Sequence, residues 1–454
     1  MENKEFLGTE PVKKLLFKLA VPTVIAQIIN MLYNIVDRIY IGHMPVDGSL
    51  ALTGVGVCMP VILIVSAFAA LVSSGGSPRA SIAMGEGDYD KAESILGQCF
   101  LLQVIVSIVL TILLELFGKS FLLAFGASEK TINYALSYLH IYALGTIFVE
   151  LTLGMNTFIT AQGFAKIGMF TVLIGAICNI VLDPIMIFVL NMGVSGAALA
   201  TIISQCVSTI WVVYFLRSNK SNIRLKKENI KLEKNIILPC VTLGLASFIM
   251  QASESIISVC FNSSLQRYGG DVAVGAMTIL SSVMQLAMLP MQGIGQGAQP
   301  IASYNFGAKN KDRLKETFKW LLISCLTYSI ILWAFIMLCP KVFASIFTTD
   351  SALIEYTASA LRIYCACIGI FGIQIACQML FVSIGNAGCS IIVAVLRKFI
   401  LLIPLIYIVP NLVSDKTMGV YLAEPIADGL AVTFTAILFF FEFRKALKKL
   451  DNVQ

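Results

Sequence analysis

Gln27, Asn30, Asn34 and Asp37 stand at i, i+3, i+7 and i+10 in an otherwise apolar run, so on a helix they form one polar stripe. A second set, Asn179 and Asp183, is spaced i, i+4 and followed by Pro184, which cannot donate to the carbonyl of Ile180 and leaves that oxygen free. Carboxylate, amide and free carbonyl are hard oxygen donors, suited to holding a proton or a small cation reversibly rather than to breaking a bond. A third set, Gln251, Glu254 and Ser258 with Asn262, repeats the spacing of the first. Glu150, Asn156, Gln374, Gln378 and the i, i+4 pair Glu424 and Asp428 are further polar residues in apolar surroundings, with Arg397 as a structural partner for Asp428. Two plainer readings stand beside these. Asp37 could pair with adjacent Arg38, although neighbours on a helix diverge, and Asp183-Pro184 is equally a helix kink near a membrane surface.

Catalytic and redox chemistry find little footing. The chain has only two histidines, His43 and His140, with no catalytic or metal-ligating neighbours in sequence, too few for bis-histidine haem ligation at several levels of a bundle, which argues against a respiratory cytochrome. Its 12 cysteines are scattered through apolar stretches without a C-x-x-C pair, so they read as reduced, packed thiols. The glycine-rich stretches Ser73 to Gly76 and Gly293 to Gly297 lack the Lys-Ser/Thr ending and preceding strand of a phosphate loop, and read as sites of close helix packing. Met277, Met284, Met288 and Met291 offer either an adaptable binding surface or ordinary core packing. Neither an enzyme nor a resident cofactor is expected, and nothing points to nucleic acid.

The elements that position the polar residues follow from composition. Of 454 residues, 58% are hydrophobic and 13% charged, too few charges to cover a water-facing surface. Crossing about 30 Å of hydrocarbon takes about 20 mostly apolar residues. Twelve runs qualify: 15–40, 50–76, 93–117, 131–160, 166–190, 194–216, 236–264, 272–297, 317–339, 353–383, 389–410 and 418–443. They are continuous rather than alternating, which predicts helices and not a β-barrel. The first run carries its polar stripe and follows a segment mixing acids with lysines, so it reads as a retained span and not a cleaved signal. Loops on the N-terminal side hold 23 Lys and Arg and the opposite loops 5, which places both termini in the cytoplasm.

A match of the chain against itself at a constant offset of 222 residues sets the architecture. Pro78, Ala80, Ser81, Gly85 and Asp90 fall on Pro300, Ala302, Ser303, Gly307 and Asp312, and Tyr134, Leu139 and Tyr142 on Tyr356, Leu361 and Tyr364. Chance similarity between apolar helices explains matched Leu or Ile, but not Pro, Gly and Tyr in register across loops. Six spans per half is an even number, so the repeats run parallel, related by a pseudo-twofold along the membrane normal. The predicted fold is an all-α integral membrane protein of twelve transmembrane helices in two six-helix lobes, residues 1–216 and 236–454. A basic segment, 217–235, reads as a solvated cytoplasmic linker.

With an Asp late in the first span, N-I-V-L-D-P in the fifth, and the loop pattern P-R-A-S-I-A-M-G echoed by P-I-A-S-Y-N-F-G, the chain resembles the multidrug and toxic compound extrusion (MATE) family, in its bacterial MepA-like branch. That resemblance implies a monomeric antiporter of a bacterial plasma membrane, exporting small, bulky organic cations or drugs through a cavity between two lobes in exchange for H⁺ or Na⁺. It implies an ion or proton site at Asp37, Asn179, Asp183 and Thr201, with Na⁺ as one possible occupant, and a C-terminal-lobe acid at Glu254. The usual acidic partner of that residue in the tenth span is replaced here, with Gln374 nearby. Gln27, Asn30, Asn34, Gln251, Glu254, Ser258 and Gln285 are the expected cavity lining. A lipid-linked saccharide flippase of the same superfamily is the alternative. It would need several free cavity cations, and the four in the spans, Arg38, Arg362, Arg397 and Lys398, are expected to lie off the acid stripes.

Overall fold

The computed structural model describes residues 5–44 and 47–451, and among these every regular element is helical. Intrahelical bonds satisfy the backbone without water, the condition for crossing hydrocarbon. In chain order the spans are α1 (Val12–Gly42), α2 (Gly48–Gly85), α3 (Tyr89–Ala124), α4 (Ile132–Leu144 with Thr146–Ala161), α5 (Ala165–Val189) and α6 (Gly193–Arg217). Then follow α7 (234–269), α8 (271–307), α9 (Lys311–Leu338), α10 (Ser351–Tyr364 with Ile368–Ser383), α11 (Ala387–Asn411) and α12 (Lys416–Asp451).

Twelve spans are present, but three boundaries differ in kind from a plain helix–loop pattern. The fourth and tenth spans are each bent, by 58° and 49°. The seventh and eighth form one run, Lys234–Gly307, broken only at Gly270, whose φ of 62° and ψ of −157° belong to a region that side-chain-bearing residues avoid. Helices also outrun the apolar stretches: α2 continues to Gly85, nine residues beyond the predicted 76, because its last turns pack against protein rather than lipid.

The repeat is visible in individual hydrogen bonds. Ser81 Oγ donates to Ala161 O (2.6 Å), and Ser303 Oγ, 222 residues on, donates to Ser383 O (2.8 Å). Asn156 Nδ2 donates to Gly168 O (3.2 Å), and Gln378 Nε2 to Ser390 O (3.3 Å), again at that offset. Asn156 and Gln378 are therefore braces between neighbouring helices. Asp88 and Asn310 cap α3 and α9 alike, each accepting from the backbone N–H three residues on.

The lobes meet mainly through α2 and α1 against α7 and α8, and the crossings are reciprocal. A Cβ on Gly85 would collide with the Tyr304 carbonyl, and one on Gly307 with that of Ile82; each pair is the other displaced by 222 residues. Gly75 lies against Cys240 and Gly244, as its counterpart Gly297 lies against Ala20. Such reciprocity is the mark of a twofold interface. The glycine-rich stretches are thus interlobe crossings, where a missing side chain lets backbones touch. Met277 and Met291 are buried, and Met284 and Met288 pack against the core.

The basic side chains of segment 217–235 are exposed, as in a solvated linker, but its backbone is docked on the protein. Gln162 Oε1 accepts from Ser221 Oγ (3.0 Å), Asn222 N (2.7 Å) and Ile223 N (3.1 Å). Gln98 Oε1 accepts from Glu233 N at 2.9 Å. Glu93 accepts from Arg224 N (3.1 Å) and pairs with Lys226 (2.5 Å), which holds that ammonium above the usual lysine range. Ile223 and Leu225 are buried, so the segment is built into the N-terminal half.

Candidate functional site

α1 packs against α5, and α5 against α6. At their far ends from the termini, this brings together Asp37, Asn179, Asp183 and Thr201. Asn179 Nδ2 donates to Asp183 Oδ1 (3.2 Å) and to Thr201 Oγ1 (3.4 Å). The Asp37 carboxyl lies within hydrogen-bonding reach of the Asp183 carboxyl. Asp37 is 9% exposed, Asn179 2% and Asp183 0%. Three buried oxygens here, Asp37 Oδ1, Asn179 Oδ1 and Asp183 Oδ2, lack a hydrogen-bond donor. Two carboxyls facing each other in a nearly dry site cannot both stay charged and unpaired, so the arrangement is suited to holding a proton or a cation between them.

Local structure explains how α5 delivers its residues. Pro184 interrupts the i→i−4 ladder, and the helix answers by widening into a π turn over Ile185–Val189 rather than breaking. Asp183 therefore sits at the junction of two helical geometries. Two residues outside the sequence-derived set complete the walls. The Tyr138 hydroxyl meets Thr201, and Tyr33 lies beside Asn34 and Asp37. Tyr138 sits on α4, bent at Gly145, and no polar spacing in sequence marks it; only the fold brings it to α6. Glu150, on the second half of α4, is fully buried with both carboxyl oxygens unpartnered.

The remaining α1 stripe does not act as one unit. Gln27 Nε2 donates to Gln296 Oε1 across the lobes (3.1 Å), one turn above Thr23, whose Oγ1 donates to Gly293 O (2.6 Å). Asn34 Nδ2 returns to Asn30 O on its own helix (2.6 Å). Nearer the termini, Asn305 Nδ2 and Arg313 Nη2 both donate to Leu7 O (3.0 and 3.1 Å). Among the described residues, the side-chain hydrogen bonds joining the lobes all lie in the half of the bundle that carries the termini. Toward the other end, polar residues of α7 and α8 are uncovered: Ser258 and Gln285 are exposed and Gln251 is half-buried. The bundle is closed on the terminal side and open opposite.

In the C-terminal lobe the side chain of Glu254 is 56% exposed, but its carboxylate is not free: Lys398 Nζ donates to it at 2.6 Å. Arg397 pairs with Asp428 (2.7 Å) as expected and also with Glu424 (3.1 Å), its guanidinium over the Phe371 ring at 4.6 Å. The expectation that the span cations lie off the acid stripes is thereby corrected for Lys398. Its signal was a lysine beside an arginine in an apolar run. What hid its partner is a π turn over Leu396–Leu402, which re-aims consecutive residues so that both reach the lobe interior. Gln374 and Gln378 line a small cavity of about 20 Å³, room for one water, beside Arg397 and Lys398. Among the described residues, no three His, Cys, Asp or Glu side chains gather as metal ligands, and all twelve cysteines are free thiols.

Two parallel six-helix repeats closed at one end, with acids buried at the other, define a two-lobed polytopic membrane transporter. A family model described as MatE matches residues 22–185 and again 246–408, once per repeat, and the chain belongs to that family. It is 25% identical over 422 residues to the multidrug export protein MepA of Staphylococcus haemolyticus (strain JCSC1435), covering 92% of each chain. Its fold matches a crystal structure of MATE in the bent conformation (TM-score 0.92, 23% identity, 99% of both chains). It also matches an outward-facing multidrug resistance MATE family transporter of the MOP superfamily (TM-score 0.90, 24% identity, 99% of both chains).

Proposed function

We propose that the chain is a secondary active antiporter of a bacterial plasma membrane, with both termini cytoplasmic, that exports bulky, often cationic organic compounds in exchange for H⁺ or Na⁺. The observation that carries this reading is the Asp37–Asp183 carboxyl contact with its three donorless buried oxygens, set in one lobe of a bundle closed only on the terminal side. In this reading the site loads a proton or Na⁺, its charge changes, and α1 and the π-turned α5 shift; the lobes 1–216 and 236–454 then rock about the glycine crossings, with 217–235 moving as part of the first. Exporting a monovalent cation against 100 mV costs about 2.3 kcal/mol, which the inward movement of one H⁺ or Na⁺ offsets. Gln27, Asn30, Asn34, Gln251, Ser258 and Gln285 line the path, and the relatives' designation as multidrug export proteins supports drugs as cargo. The buried cations of the C-terminal lobe, Arg397 and Lys398, each face a carboxylate, so neither offers a free charge to a pyrophosphate head; that disfavours the flippase. The test is dye efflux from everted vesicles under an imposed pH gradient or an imposed Na⁺ gradient. Efflux driven by one of them supports antiport, and efflux driven by neither refutes it.

A further inference from the structure

The two lobes build their polar centres from equivalent helices, the first, fifth and sixth of each repeat, but with opposite charge on the fifth. In the N-terminal lobe α1 supplies Asp37, α5 supplies Asn179 and Asp183, and α6 supplies Thr201. In the C-terminal lobe α7 supplies Glu254 and α12 supplies Glu424 and Asp428, while α11 supplies Lys398 and Arg397. The first centre needs a mobile positive charge between its acids; the second carries its own on the chain. Lys398 is only 5% exposed, so its ammonium lies beneath the wall, while the side chain of the glutamate it holds is 56% exposed. Three acids thus meet two bases of the chain itself, and Glu424 Oε2 is buried without a donor.

We propose that Lys398 is a tethered cation: its ammonium occupies the Glu254 carboxylate in place of a mobile cation, confining ion exchange to the N-terminal lobe and keeping Glu254 from binding monovalent cations tightly. The acid is a latent cation site, and Lys398 sets its occupancy. This deepens the transport reading for the same cavity. Its test is a binding measurement on the purified full-length protein in nanodiscs, so it stands or falls separately from gradient-driven efflux.

Lys398→Met keeps most of the stem that fills the wall and removes the charge, while Glu254 stays hydrated through its open face. Tetraphenylphosphonium binding, measured by calorimetry, is expected to tighten about tenfold or more relative to the parent, a change worth about 1.4 kcal/mol, and Na⁺ is expected to compete for it. The double variant Lys398→Met, Glu254→Gln is expected to lose the gain. Binding by Lys398→Met that is no tighter than the parent, or a gain that survives in the double variant, overturns the proposal. A stability readout serves if Lys398→Met folds poorly. Glu254→Gln alone strands a buried ammonium and is expected to lower the unfolding temperature, with Lys398→Met restoring it; an unchanged unfolding temperature for Glu254→Gln overturns the proposal as well.

Discussion

In the antiport reading proposed above, coupling rests on individual carboxyl groups. Asp37→Asn removes one titratable oxygen pair at constant shape, and the amide can donate to Asp183, satisfying an oxygen that now lacks a partner. The expected result is normal expression, retained drug binding and gradient-driven efflux at the background of empty vesicles. Asp183→Asn should behave alike. The double substitution should be little worse than either, because groups sharing one proton act as a unit; substantial efflux from the double variant would place coupling elsewhere, with buried Glu150 the next candidate. Arg397 shows the structural counterpart. Arg397→Met strands Glu424 and Asp428, 4% and 2% exposed, and breaking such a pair costs about 3–5 kcal/mol. Thermal unfolding in detergent should therefore drop markedly, and an unfolding temperature like the parent's would show that the acids find other partners.

Helices in this protein bear on one another through backbone crossings and through a docked strap. Gly307 touches the Ile82 carbonyl where α8 crosses α2, so Gly307→Val should wedge the lobes apart on the terminal side. Overpacking of this kind costs about 1–3 kcal/mol. Cys240, fully buried at a neighbouring crossing, is the reporter: protected from maleimide in the parent, labelled in the variant, as read by peptide mass spectrometry. Continued protection would mean that the crossing yields without opening. Gln162 is one anchor of the strap beside Glu93 and Gln98, its Oε1 accepting from Ser221, Asn222 and Ile223. Gln162→Leu leaves the Asn222 and Ile223 N–H groups without a partner, while Ser221 Oγ keeps Ile223 O (2.6 Å), at a cost of about 1–3 kcal/mol for each group that stays buried. Trypsin should then cleave among Arg224, Lys226 and Lys227 faster than in the parent; unchanged cleavage would mean that the Glu93 and Gln98 contacts suffice to hold the segment.

At the scale of the molecule, in the transport reading proposed above, closure on the terminal side and opening opposite is one of the two arrangements between which the lobes would rock. Gln27 and Gln296 mark the deepest hydrogen bond between lobes, 3.1 Å across the interface. Cysteines at both positions, joined by a short bis-maleimide in a background lacking the partly exposed native thiols, should hold the protein in this state. Drug binding from the open side should persist and turnover should cease, whereas cross-linked protein that still transports would show that the lobes do not separate there.

Span number, pairing of the halves and the polar positions were legible because hydrocarbon imposes a simple rule on sequence: about 20 apolar residues per crossing, with every polar exception needing a reason. The 222-residue offset was legible for a related cause, since Pro, Gly and capping residues hold their places where backbone geometry demands them, as Asp88 and Asn310 do. Partnership was not legible. Nothing in the spacing joins Lys398 to Glu254, 144 residues away, because the π turn of α11 shifts the helical register on which spacing arguments depend, and nothing joins Tyr138 to Thr201, because they stand on separate helices that only packing brings together. Nor does composition distinguish a solvated basic linker from one whose backbone is held by Gln162, Glu93 and Gln98. Local chemistry fixes which residues are costly to bury; which of them neutralise one another depends on how whole helices pack, and only the tertiary structure decides that.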